Sequence, residues 1–144
     1  FDVVFFSLSL HHHQDGARAL KEARRVLAPD GVILVLEPDM RGEVSKLCAW
    51  YNDETRTISQ AKRWLAASGM PIEEQREFIA TWSFKGLGEI FDWIFPYYSE
   101  QYDQEAANFI QNFLGPRAHE RPLTLSDRLT LYLLKPQPEN ENDQ

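Results

Sequence analysis

The chain has 144 residues, 43% apolar, 12% aromatic and 26% charged, enough for one hydrophobic core of ordinary size. Its apolar runs fall far short of the ~20 residues that cross a bilayer, and its first residues do not read as a secretory signal. Fifteen basic against 22 acidic residues leave a net charge of −7, with no basic stripe to follow a phosphate backbone, so neither membrane nor nucleic acid is the expected partner.

Val3 to Phe6 is an unbroken β-branched and aromatic run, which predicts a strand covered on both faces, as in a parallel sheet. Such a strand belongs inside a sheet. The reading therefore expects Phe1 to lie mid-sheet in a longer chain, and residues 1–10 to present an unpaired apolar edge prone to self-association. From Asp15 to Ala28, Leu20, Ala23 and Leu27 recur at helical spacing; Asp15 is placed to cap the start, and Pro29-Asp30-Gly31 ends the helix. Val32 to Leu36 is a second buried strand closing on Glu37-Pro38. Strand, helix and strand make a βαβ crossover.

Residues 40–114 are predicted helical throughout. Val44, Leu47, Cys48 and Tyr51 form one stripe; Ile58, Ala61 and Leu65 form another, ended by Gly69 and Pro71. Ile72, Ile79 and Trp82 mark a third helix, and Leu87, Ile90, Phe91 and Ile94 a fourth, stopped by Pro96. Ser99 is the expected cap of a fifth, with Ala106, Phe109, Ile110 and Phe113 on one face. Cys48 is the single cysteine, which excludes an internal disulfide framework and points to a reducing, cytoplasmic setting. Pro122 to Leu125 and Arg128 to Leu134 read as two strands of a hairpin turning at Ser126-Asp127. The expected division is a βαβ unit over 1–38, a helical insertion over 39–116, a hairpin over 117–136 and a flexible tail over 137–144.

The order of these features resembles a known family. Phe1-Asp2-Val3-Val4 at a strand start, histidines just after that strand, a helix ending Arg25-Val26-Leu27-Ala28-Pro29-Asp30-Gly31, a strand ending Glu37-Pro38, and final strands closing on Lys135-Pro136 resemble the second half of class I S-adenosylmethionine-dependent methyltransferases. In that family they correspond to the fourth strand, the fourth crossover helix, the fifth strand and the last antiparallel pair. Asp30 stands where the family usually has the first glycine of a Pro-Gly-Gly turn. The likeness covers residues 1–38 and, less closely, 120–136. The helical stretch between would be an insertion where family members build substrate lids.

That resemblance implies an α/β fold with a partial Rossmann-like sheet, and S-adenosyl-L-methionine as methyl donor. The family's glycine-rich cofactor loop and the acidic residue that holds the ribose are not among these residues. Gly86-Leu87-Gly88 is not expected to replace the loop, because its setting reads as helical with no strand before it. Cofactor binding is accordingly expected only together with a segment preceding Phe1.

Methyl transfer from a sulfonium is an in-line displacement, in which a protein positions the reactants and sometimes removes a proton. Ligands of open α/β sheets sit beyond the carboxyl ends of the strands, here Ser7 to His12. Ser7 and Leu8 are thus implied at the cofactor. His11 and His12 are candidate bases, since imidazole titrates near neutrality; a purely orienting hydrogen bond is the other role open to them. No metal site is expected, as His11, His12 and His13 are consecutive and cannot readily converge on one ion. Glu37 could face the substrate, and Asp2 is structural. Eleven of the 18 aromatic residues fall in 78–113. The run from Trp93 to Tyr98 is too dense for one helix face, so Trp93, Tyr97 and Tyr98 are expected at a pocket for a small apolar or aromatic acceptor. The alternative is a non-enzymatic binding or assembly module, its sheet completed by a partner chain or by a second copy along residues 1–10 or the helical insertion.

Overall fold

A computed structural model describes residues 1–98 and 101–136. The elements, in chain order, are β1 (Val3–Ser7), α1 (Gly16–Val26), β2 (Val32–Asp39), α2 (Glu43–Cys48), α3 (Thr55–Ala67), β3 (Ile72–Phe84), α4 (Leu87–Tyr97), α5 (Gln104–Leu114) and β4 (Leu123–Leu134). Short 3-10 turns follow β1, at Leu10–His12, and α5, at Gly115–His119. The strands form a four-stranded open sheet in the order β1-β2-β4-β3. No helix among the described residues is long and apolar enough to cross a membrane.

The chain packs as two units: residues 1–39, 55–78 and 129 onward, and residues 40–54 with 79–128. In the first, β1 and β2 run parallel with Val3 opposite Val32 and Ser7 opposite Leu36. The crossover between them is α1, capped as expected by Asp15, whose carboxylate accepts the Arg18 N–H at 2.9 Å. The turn after α1 lies against the start of the chain. Ala28 N–H donates to the Phe1 carbonyl at 2.8 Å, and a Cβ on Gly31 would stand 2.9 Å from that same oxygen, so only glycine fits. Trp64 of α3 lies so close over Gly16 of α1 that a Cβ there would meet its ring at 2.2 Å. Leu10, Leu20, Ile33, Val35, Leu65 and Leu134 are the fully buried centre.

β1 departs from the expectation of a doubly covered strand. Val4 and Phe6 pack on the core, but Val3 and Phe5 are 50% and 53% exposed. β1 is also the outermost strand, as expected of an unpaired edge.

The second unit buries Leu47, Ile90, Ile94, Ile110, Leu123 and Leu125 among aromatic rings. α5 starts at Gln104, capped by Asp103, whose carboxylate accepts the Glu105 N–H at 2.9 Å; Ser99, the expected cap, lies outside the described residues. So does the tail 137–144. Glu43 of α2 pins the start of β4 within this unit. Its carboxylate accepts from the Ser126 N–H at 2.7 Å and hydroxyl at 2.9 Å, and pairs with the Arg117 guanidinium.

Two elements differ from the sequence reading. Residues 72–84 are a strand, not a third helix. The Glu73-Glu74-Gln75-Arg76-Glu77 run favours helix by propensity, but Phe78, Ala80, Trp82 and Phe84 alternate with period two. Almost every residue of β3 is exposed, as in an edge strand, so burial leaves little pattern to read. Residues 123–134 are one strand, not a hairpin. Asp127, expected in a turn, is buried mid-strand. Its neighbours explain the misreading: Leu123, Leu125, Asp127 and Leu129 are buried, then Thr130, Tyr132 and Leu134. A parity shift of one residue, the signature of a bulge, imitates a turn. The final pair is β3 with β4, and Lys135 N–H beyond β4 donates to the Pro71 carbonyl before β3 at 3.1 Å.

Candidate functional site

On β2 the buried face runs Ile33, Val35, Glu37, Asp39. Every second side chain points the same way, so the face that begins as aliphatic core ends in two buried carboxylates, at the carboxyl end of the strand. Beside it, β1 ends at Ser7. Leu8 N–H extends the pairing to the Leu36 carbonyl at 2.9 Å, and Leu8 itself takes φ 50°, the left-handed region. That conformation costs a side-chain-bearing residue about 1–2 kcal/mol, and such strain concentrates at functional loops. It turns the chain sharply into the Leu10–His12 turn, leaving Ser7 exposed and Leu8 39% exposed.

The turn is tied to Glu37 by both carboxylate oxygens. Oε1 accepts the Leu10 N–H at 3.0 Å, and Oε2 lies 2.5 Å from His11 Nδ1. His11 is 3% exposed and Glu37 0%. His12 is exposed, its ring centroid 4.0 Å from that of His11 at 45°. His13 is exposed and meets Phe6 edge-on at 5.8 Å. The predicted site residues Ser7, Leu8, His11, His12 and Glu37 therefore gather at one end of the β1–β2 pair. Glu37 faces His11 and the Leu10 backbone; the parity it shares with Ile33 and Val35 was the signal that it points inward.

Sequence reasoning missed Tyr132 of β4. It is buried in the same unit, and burial raises its phenol pKa, reinforced by the negative charges of Glu37, Asp39 and Glu77. The apolar alternation around it gave no sign of that acidic company. A groove of about 320 Å³ between α1 and the end of α3, lined by Leu20, Lys21, Arg24 and Met70 among others, includes none of the predicted site residues.

In the second unit, Trp93, Tyr97 and Tyr98 belong to one ladder of rings. Trp93 stacks on Trp82 at 5.5 Å, Tyr97 meets Tyr98 at 4.9 Å, and Tyr98 stacks on Tyr51 at 4.8 Å. Tyr97 is 68% and Trp82 41% exposed. Burial, then a hydrogen bond with the Cys48 thiol, pushes the Tyr98 phenol far above its ordinary range, so it stays protonated. Trp82 was not singled out for the site, being hidden by the mistaken helix.

A strand does precede Gly86-Leu87-Gly88, contrary to expectation, since β3 ends at Phe84 and α4 starts at Leu87. A Cβ on Gly86 would lie 2.6 Å from the Arg121 guanidinium.

Residues 1–35 match a family profile described as "Methyltransferase domain". Among solved structures, a Bacillus halodurans protein named as a candidate methyltransferase is similar at 16% identity and a TM-score of 0.61, over 96% of this chain and 65% of its own. The Bacillus subtilis YcgJ protein is similar at 15% identity and a TM-score of 0.58, over 96% and 64%. No curated protein matches. The fold is the Rossmann-like α/β fold of these two structures, and the chain spans just under two thirds of their length.

Proposed function

We propose that this chain is the acceptor-side part of an S-adenosylmethionine-dependent methyltransferase acting on a small apolar or aromatic molecule. The observation that carries the reading is the buried His11–Glu37 contact at the carboxyl end of two parallel strands, of which His11 lies within the segment that matches a methyltransferase domain and Glu37 just beyond its end. Bound S-adenosylmethionine supplies an electrophilic methyl group. Ser7 and Leu8 border it, and His11 or His12 accepts the proton of the acceptor atom.

Calorimetry with S-adenosylmethionine and S-adenosylhomocysteine tests the reading. Little or no binding is expected to residues 1–144 alone, and binding to a protein that joins them to an upstream strand and glycine-rich loop. Binding by the chain alone would overturn the division of the donor site. No binding to either protein favours a second reading, an assembly module completed by a partner or second copy. That reading draws on β1, an outermost strand with Val3 and Phe5 half exposed.

A further inference from the structure

β3 is the outermost strand of the sheet among the described residues, on the opposite side from β1. An outermost strand offers a row of unpaired N–H and C=O groups to any strand laid alongside it, and proteins blunt such edges with charges, prolines, bulges or brevity. The first half of β3 is blunted in this way, by Glu73, Glu74, Arg76 and Glu77. The second half is not. From Phe78 to Phe84 the strand carries no charge, proline or glycine and is rich in β-branched and aromatic residues, a composition suited to pairing with a further strand. Phe78, Ile79 and Trp82 are 40%, 60% and 41% exposed. This uncharged stretch is bracketed by two exposed residues of opposite charge, Glu77 before it and Lys85 after it.

We infer that this stretch is a self-association site, pairing antiparallel with its own copy in a second chain about a two-fold axis at Thr81. Such an axis makes every contact reciprocal, so the choice of centre fixes all the pairs. With Thr81 at the centre, Phe78 stands opposite Phe84, Ile79 opposite Ser83, Ala80 opposite Trp82, and Thr81 opposite its own counterpart. Glu77 then falls opposite Lys85 at both ends. Aromatic pairs, threonine pairs and opposite charges are the cross-strand neighbours that stabilise an antiparallel ladder. Other centres spoil the match. At Arg76 or Glu77 like charges meet on the axis; at Ile79, Glu74 faces Phe84; at Trp82, Lys85 faces Ile79. The paired stretch also ends at Lys85, before α4 begins at Leu87. Two four-stranded sheets joined in this way leave β1 at both outer edges, open to an upstream strand. The self-pairing does not rest on the methyltransferase reading.

The test is sedimentation velocity of the full chain carrying Phe5→Lys, which blunts the β1 edge and removes association through it. A dimer is expected. A monomer at every concentration would overturn the inference in favour of a strand from a different protein. Charge reversal in the same background then tests the register. Glu77→Lys and Lys85→Glu each set like charges opposite one another at both ends, and each should raise the dimer dissociation constant about tenfold or more. The two together restore opposite charges and should bring it back to within about threefold of the starting value. Single reversals without effect, or a double reversal no tighter than the singles, would overturn the inference. Disulfide trapping, with Cys48→Ser removing the native thiol, reads the centre directly. Thr81→Cys should yield a covalent dimer under mild oxidation, since directly opposed Cβ atoms stand about 4.5–5.5 Å apart. Ile79→Cys alone and Ser83→Cys alone should not, whereas a mixture of the two should. Trapping of either alone as fast as Thr81→Cys would reject the register. Thr81, Ile79 and Ser83 are all exposed, and circular dichroism confirms that each variant is folded before its result is read.

Discussion

Each unit of this chain ties a loop or strand to a glutamate, and the two glutamates do opposite kinds of work. Glu43, in the second unit, is partly exposed and faces Arg117 and Ser126. Burial pushes its carboxyl up, but the guanidinium and the Ser126 donors outweigh burial and hold it net below the ordinary glutamate value. Its cation is permanent and no proton can pass between them, so the contact is a pin. Glu37, in the first unit, is fully buried against an imidazole, a group that exchanges protons near neutrality. It sits beside a residue held in a strained backbone conformation. The comparison teaches that the partner, more than the burial, separates a structural carboxylate from one suited to chemistry.

The largest expected effect comes from removing the buried partner. Glu37→Ala leaves His11 and the Leu10 N–H buried without their acceptor and should cost about 3–5 kcal/mol in urea unfolding. A cost below about 1 kcal/mol would mean that the pair is not formed. Next, Ile94→Ala in the second unit's core, at 0% exposure, should cost about 2–5 kcal/mol by the same measurement. Glu43→Gln should cost less, about 1–2 kcal/mol at pH 7.

The pH dependence sharpens the contrast within the second unit. Glu43 is held below its unfolded-state pKa, so its contribution is present at neutral pH and is lost as pH falls through the folded value. Asp127 is the reverse. Burial raises its carboxyl, partly offset by the Arg128 N–H and the Ser45 hydroxyl, so its contribution is present in acid and is lost as pH rises through the folded value. Unfolding midpoints from pH 7 to 3.5 should show the deficit of Glu43→Gln shrinking toward low pH. Asp127→Asn should instead begin slightly more stable than the parent chain at pH 7, by under about 1 kcal/mol, and lose that advantage in acid. The smallest effect on stability belongs to Phe5→Lys. At 53% exposure it should shift unfolding by no more than about 0.5 kcal/mol. Light scattering should nonetheless show less self-association than in the parent chain, and a monomeric parent would refute the sticky edge.

The β1–α1–β2 crossover was legible because each of its signals is local. Asp15 caps the helix, Pro29 to Gly31 stop it, and two apolar runs frame it. The helices after Thr55 and Leu87 were legible for the same reason, as stripes of period 3.6. The edge strand β3 was not, since a strand buried on neither face writes no burial pattern, and its acidic stretch favours helix. Nor was the single β4, where a one-residue shift of parity looks the same in sequence as a turn.

The site divides in the same way. The residues themselves fixed which groups can exchange protons, and the strand–histidine order placed Ser7, Leu8, His11 and His12 at one strand end. That His11 meets Glu37 was decided by tertiary structure. Glu37 and His11 are 26 residues apart in sequence, and only the parallel register of β1 with β2 brings them within a hydrogen bond. Pairing across a sheet is a property of register and parity together, and neither is carried by any one segment of the chain.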